Sequence, residues 1–214
     1  MSATTLTPAL APTLRFHGSQ FGNGIALNPL DAKDKLGYDE WRELLADLKF
    51  VDATFTERHA CSAFVLSRMR VMRENEVKGR ARLLQLCQQD FYEALLRVCL
   101  CKALPTDAEV AASECPDAGV YLLGLQMEEG GAAWPAFLEA HPAPSEGGAS
   151  QPFESALTHL LALIIRTIQL VTLGTRAFQS SSLELSLDQV KAFQKLGGRR
   201  SMKMIADADI KGDA

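Results

Sequence analysis

The stretch Ala156–Leu173 constrains this chain more than any other, because so long an apolar run needs either a bilayer or a packed protein core around it. His159, Arg166 and Gln169 interrupt it, and each is costly at a bilayer centre. Wound at about 100° per residue, Leu157, Leu160, Leu161, Ile164, Ile165, Ile168 and Val171 fill one broad face. Thr158, His159, Arg166 and Gln169 gather on the other. The segment therefore reads as a helix of a soluble protein rather than a membrane span. His159 is expected at the surface on its polar face, and His17 and His141 in loops.

Helical periods recur along the rest of the chain, at 38–49, 54–74, 90–104, 106–113, 117–127, 132–140, 152–178 and 186–195. Thr54 or Thr56 is the expected cap of the second, whose inner face would carry Cys61, Phe64, Val65, Met69 and Met72. Asp90 is the expected cap of the third, with the stripe Phe91, Ala94, Leu95, Val98 and Cys99. Thr106 or Asp107 caps the next, after Pro105. Val51 and Leu83–Leu86 are the only short β candidates, so the fold class is all-α.

Residues 1–30 read as an extended N-terminal arm, because Pro8, Pro12, Pro29, Gly18, Gly22 and Gly24 break any period. Phe16, Phe21, Ile25 and Leu27 are spaced as anchors for a groove. The layout is then a helical pair at 31–104, a helical subdomain at 105–196 with a linker near 142–150, and a polar tail at 197–214.

Two blocks of the 31–104 region share an order of parts. In Leu36-Gly37-Tyr38-Asp39-Glu40-Trp41-Arg42-Glu43-Leu44-Leu45, Leu36 and Tyr38 suit a short strand and Glu40 closes the bend. Trp41, Leu44 and Leu45 then form the apolar face of the helix that follows. In 79–102, Leu86 takes the strand position, Asp90 the closing acid, and Phe91-Tyr92-Glu93-Ala94-Leu95-Leu96 the helix. This order resembles the back half of an EF-hand, where a short strand, a closing Glu and an exit helix follow one another. Asp90-Phe91-Tyr92-Glu93-Ala94-Leu95-Leu96-Arg97-Val98 and Phe64-Val65-Leu66-Ser67-Arg68-Met69 are similar to EF-hand-like modules of ciliary and flagellar axoneme proteins. The likeness covers Leu36 to Val98.

The resemblance implies two hands stacked through a tiny two-stranded sheet, helix 38–49 leaving the first and helix 54–74 entering the second. It also implies an assembly subunit of the cytoskeleton, at the microtubule axoneme of cilia or flagella. The ligand positions depart from the family. In a loop at 29–40, Pro29 stands first, Asp31 suits the third position, Lys33 repels an ion at the fifth, and Asp34 replaces the turn glycine. In a loop at 79–90 the ligand positions hold Gly79, Ala81, Leu83 and Gln85. Calcium takes about six to eight oxygens, several of them charged. No metal ligand and no cofactor are therefore expected.

Enzymatic signatures are missing from the sequence. Gly22-Asn23-Gly24 and Gly130-Gly131 lack the Lys and Ser/Thr of a phosphate loop, and no zinc or Gly-x-Ser-x-Gly pattern occurs. His59 and Cys61, two apart on a helix, point in different directions. The five cysteines, Cys61, Cys87, Cys99, Cys101 and Cys115, form no Cys-x-x-Cys pair and read as reduced thiols of a cytoplasmic protein. Cys61, Cys87 and Cys99 suit the core.

Net charge is −4, which argues against nucleic acid and anionic membranes as partners. One segment opposes it. Arg68, Arg70, Arg73, Lys78, Arg80 and Arg82 stand against Glu74 and Glu76, a local +4 that steers acidic partners. Together with Phe16 and Phe21, these six basic residues are the expected partner-binding positions, and no catalytic residue is expected. The reading is a non-catalytic scaffold subunit that contacts other protein subunits, tubulin or acidic coiled-coil neighbours among them. A calcium-responsive, calmodulin-like adaptor and a thiol-dependent enzyme using Cys61 or Cys101 are the alternatives.

Overall fold

The computed structural model describes residues 35–68, 75–76, 80, 83–128, 131–141, 151–174 and 182–196. The expected arm at 1–30, the linker at 142–150 and the tail at 197–214 lie outside these residues. The chain divides into two compact units. One takes residues up to Leu45 with Phe50–Ala103, and the other takes Ala46–Lys49 and Leu104–His141 with the chain from Ala149. Helices dominate both, and among the described residues the one sheet has two short strands.

The first unit runs β1 (Leu36–Gly37), α1 (Tyr38–Asp47), α2 (Glu57–Leu66), β2 (Gln85–Leu86) and α3 (Gln88–Cys101). The strands pair antiparallel, Leu36 opposite Leu86 and Gly37 opposite Gln85. The core is the apolar stripe of each helix brought together: Trp41 and Leu45 from α1, Ala60, Ala63 and Phe64 from α2, and Phe91, Ala94, Leu95, Val98 and Cys99 from α3. Trp41 is fully buried and its indole N–H donates to the Ala60 carbonyl at 3.0 Å, so its polar edge is satisfied. Removing about 200 Å² of Trp surface from water is worth roughly 5 kcal/mol.

The α3 stripe lies where the periodicity places it. The α2 stripe does not. Ala60 and Ala63 are buried with Phe64, whereas Val65 is 48% exposed and Cys61 half-buried. Helix α2 also starts at Glu57 rather than at 54. Asp52 Oδ1 accepts from the Thr54 and Phe55 amides and the Thr54 hydroxyl, at 2.8 to 2.9 Å, and holds those residues in a turn. Met69 and Met72 lie outside the described residues.

Lys102, just after α3, is fully buried. Its ammonium donates to Asp52 Oδ2 at 2.5 Å and to the Phe50 carbonyl at 3.0 Å, tying the α1–α2 connection to the end of α3. Burial alone would push the Asp52 carboxyl up. The Lys102 ammonium and the donors from Phe55 and Thr54 outweigh it and hold the carboxyl below the ordinary value.

The second unit contains α4 (Asp107–Ala112), α5 (Ala118–Met127), α6 (Ala133–Ala140) and α7 (Phe153–Leu173), followed by a helical stretch at 187–196. Thr106 caps α4 by accepting from the Glu109 amide, while Glu109 Oε2 takes the Thr106 N–H at 2.8 Å. Ser186 and Gln189 repeat this exchange at 187–196. Gly174 ends α7 with φ +83, a backbone region that suits glycine.

Helices α5 and α7 form the centre of the unit. They cross at Gly119, where an added β-carbon would stand 2.5 Å from the Ala162 carbonyl oxygen. Helix α7 is long and apolar enough to cross a membrane, yet most of it is buried within the protein. Its expected polar face is a finding in the other direction. His159, Arg166 and Gln169 are all buried, not surface residues. Arg166 holds Asp117 Oδ2 through Nε and Nη2 at 2.8 and 2.6 Å. Gln169 donates to the carbonyls of Ser182 and Glu184, each at 2.8 Å. Their charge and amides are satisfied inside the fold, which is why burial is tolerated.

Candidate functional site

The two strands of the first unit each lead directly into a helix, and both transitions are built alike. Glu40 Oε2 accepts from the Gly37 amide at 2.8 Å, and Asp90 Oδ2 accepts from the Cys87 amide at 3.1 Å. Each closing acid thus turns back onto the strand it follows, three residues upstream, and binds a donor the helix start leaves open. In β2–α3 this makes Cys87 the cap and Asp90 the third helical residue, two positions earlier than the expected start at 90.

The aromatic residue after each acid enters the same core. Trp41 and Phe91 meet edge to face with centroids 6.1 Å apart, and Tyr38 packs edge-on against Phe64 of α2. Two equivalent strand–acid–aromatic corners therefore face each other across the Leu36–Leu86 pair.

The structure describes two of the residues expected to bind a partner. Arg68 is half-buried just past α2. Its guanidinium lies over the Phe64 ring at 4.8 Å and its Nε donates to the Phe64 carbonyl at 3.3 Å. Burial pushes that guanidinium down, against the nearby Cys61 and Asp90. Arg80 is exposed. Phe16, Phe21, Arg70, Arg73, Lys78 and Arg82 lie outside the described residues, as do Pro29, Asp31, Lys33 and Asp34 of the first expected loop and Gly79 and Ala81 of the second. Among the described residues no group of three or more His, Cys, Asp or Glu is placed to hold a metal ion.

Sequence reasoning missed the apolar residues that bracket the basic segment. Val65, Leu66 and Leu84 are 48%, 53% and 68% exposed, although Val65 falls at a helical core spacing. Only the alanines at 60 and 63 hint that α2 turns its small side inward, which leaves its larger side chains out.

The thiols differ in environment. Burial pushes the Cys99 thiol up to about 12, which leaves it without thiolate at neutral pH. Cys61 lies against the Tyr38 hydroxyl; burial and then this contact raise the Tyr38 pKa. Cys101 and Cys115 are half-buried. Thr56, one of the two expected caps, is the cap of α2, and its amide donates to His59 Nδ1 at 3.2 Å.

No protein-family model matches the chain, and no curated protein and no solved structure is significantly similar to it.

Proposed function

We propose that the first unit is an EF-hand-like pair that has lost its calcium ligands and serves as a non-catalytic scaffold subunit of a microtubule-based assembly, the ciliary axoneme being the leading setting. The antiparallel pairing of Leu36 with Leu86, each strand running into a helix closed by an acid, carries the reading. In an EF-hand the twelfth-position carboxylate grips the ion. Here Glu40 and Asp90 are taken up by backbone amides, and the apolar core around Trp41 and Phe91 sets the helix angles.

Function then rests on shape and charge. The basic segment between Arg68 and Arg82 supplies long-range attraction to an acidic surface, and exposed Val65, Leu66 and Leu84 supply apolar contact beside it in sequence. Acidic tubulin tails fit this chemistry.

The test is co-sedimentation of the full chain with stabilised microtubules, intact or stripped of their acidic tails by limited proteolysis. The chain should pellet with intact polymer, and less so with stripped polymer or at raised salt. Reversing Arg70, Arg73 and Arg82 to Glu should have the same effect. A chain that stays in the supernatant with intact microtubules refutes the proposal.

A further inference from the structure

In the second unit, two histidines grip one short helix, and both do so with the same chemistry. His159 of α7 is buried; its Nδ1 lies 2.9 Å from the Pro105 carbonyl and its Nε2 lies 3.0 Å from Asp107 Oδ1. His141, at the end of α6, is half-buried; its Nδ1 lies 2.9 Å from the Phe137 carbonyl and its Nε2 lies 2.6 Å from Glu109 Oε1. A carbonyl and a carboxylate can only accept. A neutral imidazole has one donor and one acceptor nitrogen, so it satisfies one of its two oxygens and turns a lone pair on the other. Only the doubly protonated ring satisfies both.

We infer that His141 and His159 form a proton-dependent clasp on α4, closed when both rings are protonated and released when they lose a proton. The inference is independent of the scaffold reading of the first unit.

The groups around the clasp set its direction. His159 faces Asp107 from α4 and the Pro105 carbonyl, which also accepts from Gln151 Nε2 at 2.7 Å. His141 faces Glu109 from α4 and stacks on Phe137 of its own helix at 4.2 Å. Tyr121 of α5 feels the Glu109 charge. Among the described residues, no lysine or arginine forms an ion pair with Asp107 or Glu109. For Glu109, burial pushes the carboxyl up, but Thr106 and then His141 outweigh it and hold it low. Its share of the clasp is therefore present above the ordinary carboxylate range and fades only in stronger acid. The ring share runs the other way: it is present while both ring nitrogens carry protons and is lost when one proton leaves. The clasp therefore tightens toward acid and loosens toward alkali. What it moves is α4, a six-residue helix with no buried residue of its own.

The substitutions Asp107→Asn and Glu109→Gln test this without emptying the contacts. Each amide can donate to a neutral ring nitrogen, and Glu109→Gln keeps an oxygen for the Thr106 amide. In the full chain, hydrogen exchange of the α4 amides is compared at about pH 5.5 and about pH 8, corrected for intrinsic exchange. The native chain should lose about threefold to tenfold of its α4 protection at the higher pH, the lower figure allowing for the exposure of Asp107. The double variant should show no such step. A flat native profile, or a step that persists in the double variant, overturns the inference. Imidazole nitrogen shifts of the unmodified chain give a second reading: α4 amide shifts should follow the titration of the two rings. Amides that stay still through that titration overturn it as well.

Discussion

Replacing Gly119 by alanine separates two physical effects of opposite sign. In an isolated helix the change is favourable by up to about 1 kcal/mol, because glycine loses more backbone freedom than alanine on folding. At the α5–α7 crossing the new β-carbon would stand 2.5 Å from the Ala162 carbonyl oxygen and 2.6 Å from Arg166 Cγ. Ordinary contact begins at 3.4 Å, so the crossing must open by the difference, about 0.9 Å. The obstacle is backbone and cannot swing aside. Opening of that size forfeits a quarter to a half of each contact it stretches, and the buried Val120, Leu122 and Leu123 lie along the same helix.

Overpacking of this kind costs about 1–3 kcal/mol, and a backbone clash belongs at the upper end. The net expectation for Gly119→Ala is a loss of about 2 kcal/mol, or roughly 4–8 °C in melting temperature. Gly124 is the internal control. It sits in the same helix, is exposed, and has nothing within 4 Å of an added β-carbon. Gly124→Ala should therefore stabilise by about 0.5–1 kcal/mol. Urea denaturation followed by far-UV ellipticity measures both, and hydrogen exchange of the α5 amides assigns the loss to the second unit. If Gly119→Ala is as stable as Gly124→Ala, the close crossing is wrong.

Four further outcomes follow from named contacts. Lys102→Ala leaves the Asp52 carboxylate with its anchoring charge removed and should cost about 3 kcal/mol or more, whereas Lys102→Met with Asp52→Asn should recover most of it; equal stability of the two variants in urea would argue against a buried ion pair. Because the folded Asp52 pKa is depressed, the unfolded chain binds the extra proton in acid. The Asp52 contribution is thus full above the ordinary carboxylate value of about 4 and is lost as pH falls further, a slope that the same double variant should lack when urea midpoints are compared from about pH 7 to about pH 3. Cys99, pushed up to about 12, should be the slowest thiol to label in the native chain, and mass-mapped modification there before unfolding would contradict its burial. Calcium at about 1 mM should leave the emission of buried Trp41 unchanged, and a saturable shift would revive the calcium-responsive alternative.

The strand–acid–helix corners were legible because their information is local. The spacing to the acids at 40 and 90 puts Leu36 and Leu86 in strands, and they are the residues that pair, whereas Tyr38, expected in the first strand, opens α1 instead. The same spacing placed Trp41 and Phe91 inward. Where helices begin was less legible, since capping hydrogen bonds compete over two or three residues. Asp90 looks like a cap by type, yet its carboxylate reaches back to the Cys87 amide from the third helical position. Likewise the Asp52 turn delays α2 past Thr54 because a side chain, not the backbone period, decides there. Lys102 carried no local signal at all; its partner lies fifty residues upstream.

Helix α7 shows the limit of periodicity most plainly. A hydrophobic face is inferred by sending every polar side chain to water, and this is sound only when no internal partner exists. His159, Arg166 and Gln169 each have one, at Asp107, Asp117 and the Ser182–Glu184 backbone. Asp117 binds Arg166 through one oxygen and caps α5 at the Val120 amide through the other, so one carboxylate joins the start of α5 to its crossing with α7. Those partners are too far along the chain for any window to reveal. The consequence is specific. Removing the carboxylate with Asp117→Ala should cost about 3–5 kcal/mol, because it takes the counter-ion from a guanidinium that is 3% exposed and leaves it the neutral Gln169 Oε1. Arg166→Met with Asp117→Asn, which removes both charges, keeps the bulk against Gly119 and leaves an amide oxygen for the Val120 N–H, should cost clearly less. If the two losses are equal, the polar side of α7 is solvated after all, and the soluble-helix face drawn from the sequence is the correct one.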